Sequence, residues 1–386
     1  FAKKIVAEEL WANTPIYLGA TAGMRLLPLE NRTAIMQEVR RFFASSSCPF
    51  SFGVDHQARI LSGDEEGVYG WIAVNFLKNS LTDAETSGVL DLGGASTQIT
   101  FRPKQGQAIL SNSYPMHVHG LHLPVYSHSF LNYGINTAKQ HLHDIIITSA
   151  VGGVAESGCY NTGYNFTYKG VMIRGASNGT ACETQMKQLF QKAQYCYTDT
   201  CSFNQVYQPP LYGRFVGIST FYSYIVTDLS LPENASISLI RSEAMGVCSL
   251  SYSQLLDKYP QSHALCYEFC IGTTYIETIL GYAYGFNLAP EATITYQSDI
   301  NGCEATWGLG MIINEIHQMN WKIIQSGSQD TCNGKVSFSY AIVTFCLVAV
   351  FAVIILLSLG YFGLRRMRSR RRSPSYTRAP TGEASN

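Results

Sequence analysis

The chain has 386 residues, is 46% hydrophobic and only 14% charged, and carries a formal net charge of zero. That length allows two domains, and so few charges are unusual for a soluble cytosolic protein. The tail from Arg365 holds seven Arg and one Glu, leaving 20 basic against 26 acidic residues before it, and a mildly acidic body argues against nucleic-acid binding.

Residues 3–12 and 32–43 carry helical spacing around a short strand, Pro15-Ile-Tyr-Leu-Gly19. A small-residue turn, Ala20-Thr-Ala-Gly-Met-Arg25, follows that strand. Strand, turn and helix in this order suggest a mixed α/β sheet. Asp64-Glu-Glu-Gly67 reads as a loop, and its two glutamates are either a solvated turn pair or chemistry. Ser87–Leu90 closes a buried strand and Gln98–Phe101 alternates as a second. Between them stands Asp91-Leu-Gly-Gly-Ala-Ser-Thr97. Two glycines let a ligand's oxygens approach the loop N–H groups, and an aspartate beside such a cradle suits a metal held between protein and phosphate. An ordinary tight hairpin is the bland alternative.

Residues 114–135 are β-like and aromatic. Within them His117, His119 and His122 invite a zinc reading, but histidines in a hairpin with no acidic partner are more often surface groups. From 150 to 215 the chain is rich in Gly, Asn, Thr, Tyr and Cys and reads as disulfide-tied loops. Residues 219–227, 236–257 and 273–283 look helical, and a helix begins at Gly308-Leu-Gly-Met-Ile-Ile. Ser326-Gly-Ser-Gln is a short linker.

Residues 336–364 contain no charge, long enough for a transmembrane helix. Six arginines within 365–372 then place the tail in the cytoplasm, beside anionic lipid. Everything before the span faces outward or into a lumen. Asn31, Asn165, Asn178 and Asn234 head glycosylation acceptor triplets on that side, where ten of the eleven cysteines also lie. Because the chain opens at Phe1 without a signal segment, it is expected to lack its N-terminus.

Four stretches, ATAGMRLLP at 20–28, SGDEEGVYGWIAVN at 62–75, LDLGGASTQITF at 90–101 and ATWGLG at 305–310, in this order resemble the ecto-nucleoside triphosphate diphosphohydrolases, the cell-surface apyrases. VYSHSFLNYG at 125–134 and the C-terminal span are similar to the plasma-membrane members. The resemblance covers nearly all of 1–364. It implies an α/β fold of two ribonuclease-H-like lobes of the actin and sugar-kinase kind, with nucleotide in the cleft. The expected division is a partial lobe I at 1–62, lobe II at 63–300, a return to lobe I at 301–328, a linker at 329–335, the membrane helix at 336–364 and a basic tail at 365–386.

The resemblance also implies roles. Glu66 matches the catalytic base, and Ser96 and Gln98 match residues orienting the attacking water. Thr21, Ala22, Gly93, Gly94, Ala95 and Ser96 match phosphate-binding positions. Asp91 matches the residue that holds Ca²⁺ or Mg²⁺ through water, with Glu66 and Glu304 also on that hydration shell. Tyr222 and Phe269 align with positions that stack on the base, though either could be core packing. Spacing and resemblance together imply disulfides Cys159–Cys182, Cys196–Cys201 and Cys248–Cys270, with Cys266–Cys303 as a further bridge; connectivity is not fixed by sequence. Cys48 and Cys332 are left unassigned.

Three departures stand out. The family's first phosphate loop, Asp-x-Gly-Ser-Ser, has no match in 1–386, so it is expected upstream of Phe1, and residues 1–386 alone are expected not to hydrolyse nucleotide. Glu304 replaces the usual Asp of surface members, and Asn132 replaces a usual cysteine. No Gly-x-x-x-x-Gly-Lys occurs, which excludes a P-loop enzyme. The implied activity is extracellular hydrolysis of nucleoside tri- and diphosphates, with the bilayer as a partner and homo-oligomers through the membrane helices allowed. Two other classes compete: a nucleotide-binding or receptor-like ectodomain without catalysis, and an intracellular actin-like ATPase or sugar kinase. The exported topology opposes the second, and intact Glu66, Asp91 and Ser96 oppose the first.

Overall fold

A computed structural model describes residues 1–318 apart from 82–84, 119–120, 193, 199 and 261–265. The first residues form two short 3₁₀ helices, Ala2–Lys4 and Glu8–Asn13, rather than one helix. Strand β1 (Leu18–Ala20), helix α1 (Ala22–Arg25) and helix α2 (Leu29–Phe43) follow, and β1 pairs in parallel with β2 (Ala58–Ile60).

Helix α3 (Gly63–Leu77) begins where a loop was expected. Ser62 Oγ accepts from Glu65 N at 3.1 Å while Glu65 Oε2 accepts from Ser62 N at 2.9 Å. This reciprocal cap satisfies two orphan donors and starts the helix at once. Asp64, Glu65 and Glu66 then occupy the first turn, where the helix dipole favours negative charge.

The chain next lays down β3 (Gly88–Leu92), β4 (Ser96–Phe101), β5 (Ser113–Val118), β6 (Leu121–Leu131) and α4 (Ile135–Ile147). The region expected as loops holds β7 (Val154–Ser157), β8 (Asn165–Tyr168), β9 (Val171–Gly175) and α5 (Gly179–Lys187), the strands forming a small sheet in the order β7-β9-β8. Strand β10 (Gly213–Ser219) turns into α6 (Thr220–Tyr222) and a π-helical segment to Asp228. The helix expected over 236–257 is two, α7 (Ile237–Ser249) and α8 (Tyr252–Lys258), the second restarted by a Ser251 cap. Then come α9 (Phe269–Glu277), a π-helical stretch to Ala283, β11 (Ala292–Tyr296), the hairpin of β12 (Asp299–Ile300) and β13 (Cys303–Glu304), and α10 (Trp307–Gln318).

Six strands form the main sheet in the order β11-β10-β3-β4-β6-β5, parallel from β11 to β3 and antiparallel beyond. Both faces are covered, so β3 and β4 are buried at every position, and the alternating strand expected at 98–101 lies within β4. One face packs Leu90, Leu92, Ile99, Phe101 and Phe215 against the helical layer of α4, α5, α7 and α9. The opposite face packs Val89, Val125, Val216 and Ile218 against α3 and α10. Helix α3 is thus enclosed, its apolar residues pointing all round. α10 approaches it so closely that a Cβ on Gly310 would stand 1.8 Å from the Tyr69 carbonyl oxygen.

Disulfides join Cys159–Cys182, Cys196–Cys201 and Cys248–Cys270. The expected Cys266–Cys303 bridge is not made: Cys266 is a buried thiol, whereas Cys303 is disulfide-bonded. Residues 336–364 and the tail lie outside the described residues; among those described, no helix is long and apolar enough to cross a membrane. His119 also lies outside them, and β5–β6 register sets His117 opposite His122.

Candidate active site

Strand alternation assembles the site. On the α3 side of the sheet, Asp91 follows Val89, while Ser96, Gln98 and Thr100 alternate with Thr97, Ile99 and Phe101. Register sets Asp91 beside Gln98, and Gln98 beside Ser129. These polar groups therefore face the first turn of α3. Gly67 lets the helix settle on them, since a Cβ there would come within 2.6 Å of Thr100 Oγ1 and 2.8 Å of Ser127 Oγ.

Glu66 is 6% exposed and Asp91 5%, so a carboxylate is buried on α3 and another on the sheet that it covers. Burial, and then the Asp91 charge, push Glu66 up to about 7, while the Arg25 guanidinium pulls the other way. Burial likewise raises Asp91. Arg25, to which the sequence reading gave no role, is the connecting group. Its Nη2 donates to Glu66 Oε2 at 2.9 Å and to Ser96 Oγ at 3.3 Å, and its Nη1 donates to the Leu61 carbonyl at 3.0 Å. The available signal was its place at the end of the small-residue turn, directly after the phosphate-motif residues.

Gln98 Nε2 donates to Ser96 Oγ at 2.8 Å and to Ser129 Oγ at 2.9 Å, and Gln98 Oε1 is buried with no partner among the described residues. Ser129 N in turn donates to Asp64 Oδ1 at 3.1 Å. The 93–95 loop is held from behind: the Gly93 carbonyl accepts from Ile135 N, the Gly94 carbonyl from Asn136 N, and the Ala95 carbonyl from Asn132 N. Asn132 adopts φ 72, a conformation asparagine tolerates, which rationalises its presence there. Among the described residues the Gly94 and Ala95 N–H groups donate to no other backbone carbonyl, and Gly94 is exposed. Gly134 permits the close packing, because a Cβ would stand 2.3 Å from Ala95 N.

Thr21 sits at the N-terminus of α1 with Ala22 buried behind it. Glu304 stands exposed on β13 and makes no hydrogen bond or ion pair with Asp91 or Glu66 among the described interactions. Tyr222 is half-buried at the end of α6. Phe269 is 2% exposed and meets Tyr259 and Tyr224 edge-on, so its ring is core packing and presents no open face for a base. Asn31, Asn165, Asn178 and Asn234 are all exposed, and Asn178 also caps α5 through Ala181 N.

Residues 1–356 match the sequence model of the GDA1/CD39 (nucleoside phosphatase) family. The chain belongs to that family. Within it, the chain is 32% identical over 344 residues to human ectonucleoside triphosphate diphosphohydrolase 2, covering 80% of this chain and 68% of that protein. It is 32% identical over 356 residues to bovine ectonucleoside triphosphate diphosphohydrolase 1, covering 81% and 68% respectively. A solved structure of nucleoside triphosphate hydrolases from Neospora caninum superposes with a TM-score of 0.61 at 14% identity, covering 82% of this chain and 74% of that one, which supports a shared α/β fold. Membership in the GDA1/CD39 family agrees with a loop that bares N–H groups beside two carboxylates.

Proposed function

We propose that the full-length protein hydrolyses nucleoside tri- and diphosphates to the monophosphate and phosphate, by attack of water at the cleft lined by Glu66 and the 93–96 loop. The observation carrying this reading is the Glu66 carboxylate, buried and raised to about 7 beside buried Asp91 and a polar loop with bare N–H groups. Glu66 takes the proton from the attacking water. Gln98, through its unpartnered Oε1, and Ser96 orient that water. Thr21, Ala22, Gly94 and Ala95 receive the terminal phosphate against backbone N–H groups. Arg25 holds Glu66 in place and adds positive charge.

The site also suits a hard divalent cation. Its donors are oxygens, the buried Glu66 and Asp91 carboxylates interact electrostatically, and among the described residues the buried Gln98 Oε1 lacks a partner. Asp91 and Glu66 would hold Ca²⁺ or Mg²⁺ through water, with Glu304 as an outlying contributor. Such an ion would neutralise phosphate charge. Tyr222 is the remaining candidate for stacking on the base.

The uncharged stretch 336–364 and the arginines after it support an ectodomain anchored in the plasma membrane with a cytoplasmic tail. Phosphate release from ATP and ADP by the full-length protein, with and without Ca²⁺ or Mg²⁺, tests the activity. No metal-dependent release from either nucleotide would defeat it. Protease applied to intact cells should digest the ectodomain and spare a C-terminal tag; loss of the tag would reverse the topology.

A further inference from the structure

The acidic run Asp64-Glu65-Glu66 opens α3, and each carboxylate reaches in a different direction. Glu66 meets Arg25. Glu65 accepts from Ser62 N at 2.9 Å and from Arg59 Nη1 at 3.0 Å, so it serves the helix cap and the tie to β2. Asp64 turns to the main sheet instead. Its Oδ1 accepts from Ser129 N at 3.1 Å, and its backbone carbonyl accepts from Ser127 Oγ at 3.1 Å. Both partners lie on β6, so Asp64 fastens the first turn of α3 to that strand twice. Gly63 permits the contact, because a Cβ there would stand 2.3 Å from Ser129 Cβ.

Ser129 carries this fastening into the site. Its N–H donates to Asp64, and its hydroxyl oxygen accepts from Gln98 Nε2 at 2.9 Å. A carboxamide nitrogen has two hydrogens. Gln98 directs the second to Ser96 Oγ at 2.8 Å, so only Oε1 is left to meet a further group. Arg25 Nη2 donates to Ser96 Oγ and to Glu66 Oε2, which brings the hydrogen bonds back to α3. The path Asp64, Ser129, Gln98, Ser96, Arg25, Glu66 is therefore a ring, closed by the helix backbone between its two carboxylates. Burial pushes His128, a titratable neighbour of Asp64 on β6, below its ordinary value. It is uncharged at neutral pH and does not compete with Ser129 as an ion-pair partner.

We propose that Asp64 is a positioning residue for the hydrolysis: it docks α3 on Ser129 and so places Glu66 and Gln98 Oε1 where both meet one attacking water. Glu66 takes one hydrogen of that water as a proton. Gln98 Oε1 accepts a hydrogen bond from the other, which stays on the oxygen. The inference rests on the roles of Glu66 and Gln98 given under the proposed function.

The test uses the full-length protein with Asp64→Asn, Asp64→Ala and Ser129→Ala, the last two also combined with Gln98→Ala. Melting temperature, kcat and KM for ATP are measured for each at saturating Ca²⁺. Asp64→Asn keeps an oxygen for Ser129 N and should hold kcat within about 2-fold of native. Asp64→Ala and Ser129→Ala should lower kcat about 10-fold or more, toward the ~10²-fold that a misplacement of about 1 Å costs. KM should change less than about 2-fold, because the loss falls on the transition state rather than on nucleotide binding. In the Gln98→Ala background the same two substitutions should cost no more than about 2-fold, since Arg25 still holds Glu66 and the group they position is gone. Mere loss of packing would lower the rate in either background. The same loss persisting without Gln98, or Asp64→Asn as impaired as Asp64→Ala, would overturn the role. Variants that all turn over like the native protein would also overturn it and leave the activity standing, whereas a native protein without hydrolysis would remove the functional reading itself. If Asp64→Ala does not fold, Ser129→Ala in the two backgrounds decides alone.

Discussion

Arg25 and Glu66, 41 residues apart in sequence, form an ion pair of 2.9 Å whose side chains are 14% and 8% exposed. The pair joins the turn after β1 to the first turn of α3, across the face on which Ser96 lies. Burial and Asp91 oppose the charged form of Glu66, and Arg25 favours it. The carboxylate is therefore fixed in position yet basic enough to accept a proton.

Glu66→Gln should abolish most ATP and ADP hydrolysis while nucleotide still binds. General-base assistance is worth ~10²–10⁴-fold, and no other matched carboxylate is placed to take over. Phosphate release and nucleotide affinity, measured together at saturating metal, check it. Near-normal turnover would mean that another group takes the proton.

Asp91→Asn should behave differently. The amide keeps the size of the side chain but weakens its hold on a hydrated cation, so the Ca²⁺ or Mg²⁺ concentration for half-maximal rate should rise along with the loss in rate. Metal titrations of the variant against the native protein show this, and an unshifted metal dependence would place the cation elsewhere.

Arg25→Met should lower turnover about 10²-fold, the scale associated with misplacing a reacting group by about 1 Å. It removes the donor to Glu66, Ser96 and the Leu61 carbonyl together. Arg25→Lys should recover only part, because one ammonium cannot reproduce the planar fork. Steady-state kinetics of the two variants decide it, and full activity in Arg25→Met would make the pair structural.

Gly134→Ala should destabilise by about 1–3 kcal/mol, the range for overpacking, and should also impair hydrolysis. The added Cβ meets backbone atoms of the 94–96 loop, which cannot rotate away. Gly246→Ala, on α7 with nothing within 4 Å, is the control and should stabilise by up to about 1 kcal/mol. Thermal melts of both variants suffice; equal effects would remove the argument.

His143 supplies a pH test away from the cleft. Burial, with a contribution from Lys139, pushes it down to about 4, and its Nε2 lies 2.6 Å from the Tyr160 hydroxyl. An unfolded histidine titrates near 6.5. Between about pH 6.5 and 4 the unfolded chain binds the extra proton, so this contribution to stability is present above that window and lost as pH falls through it. The melting-temperature advantage of the native protein over His143→Phe should therefore shrink from pH 7 to pH 4. An advantage that grew on acidification would contradict the assignment.

The loop at 91–97 was legible because two glycines and a carboxylate after an apolar run leave few alternatives. Glu66 was legible as a residue but not as a place. The Ser62 and Glu65 capping box announces a helix start, yet the acidic run reads as a turn until the cap is recognised. The strands at 154–157, 165–168 and 171–175 are four or five residues long with uneven burial, too short for periodicity to emerge from a Gly- and Asn-rich background. Phe269 shows the limit in the other direction. An aromatic at a matched position says nothing about exposure, and here two tyrosines enclose it. Arg25 escaped notice because its importance lies in long-range geometry, through a guanidinium reaching 41 residues ahead.

The contact of Gly310 with the Tyr69 carbonyl has a practical corollary for recombinant work. Helix α10 is the outer wall of α3, and α3 carries Glu66. A secreted version cut anywhere before residue 307 would leave Tyr69, Ile72 and Leu61 facing water and loosen the helix bearing the proposed base. Expression boundaries should accordingly fall after residue 318, and a protein trimmed shorter should aggregate or lose activity even with every matched residue of the cleft upstream of the cut still present.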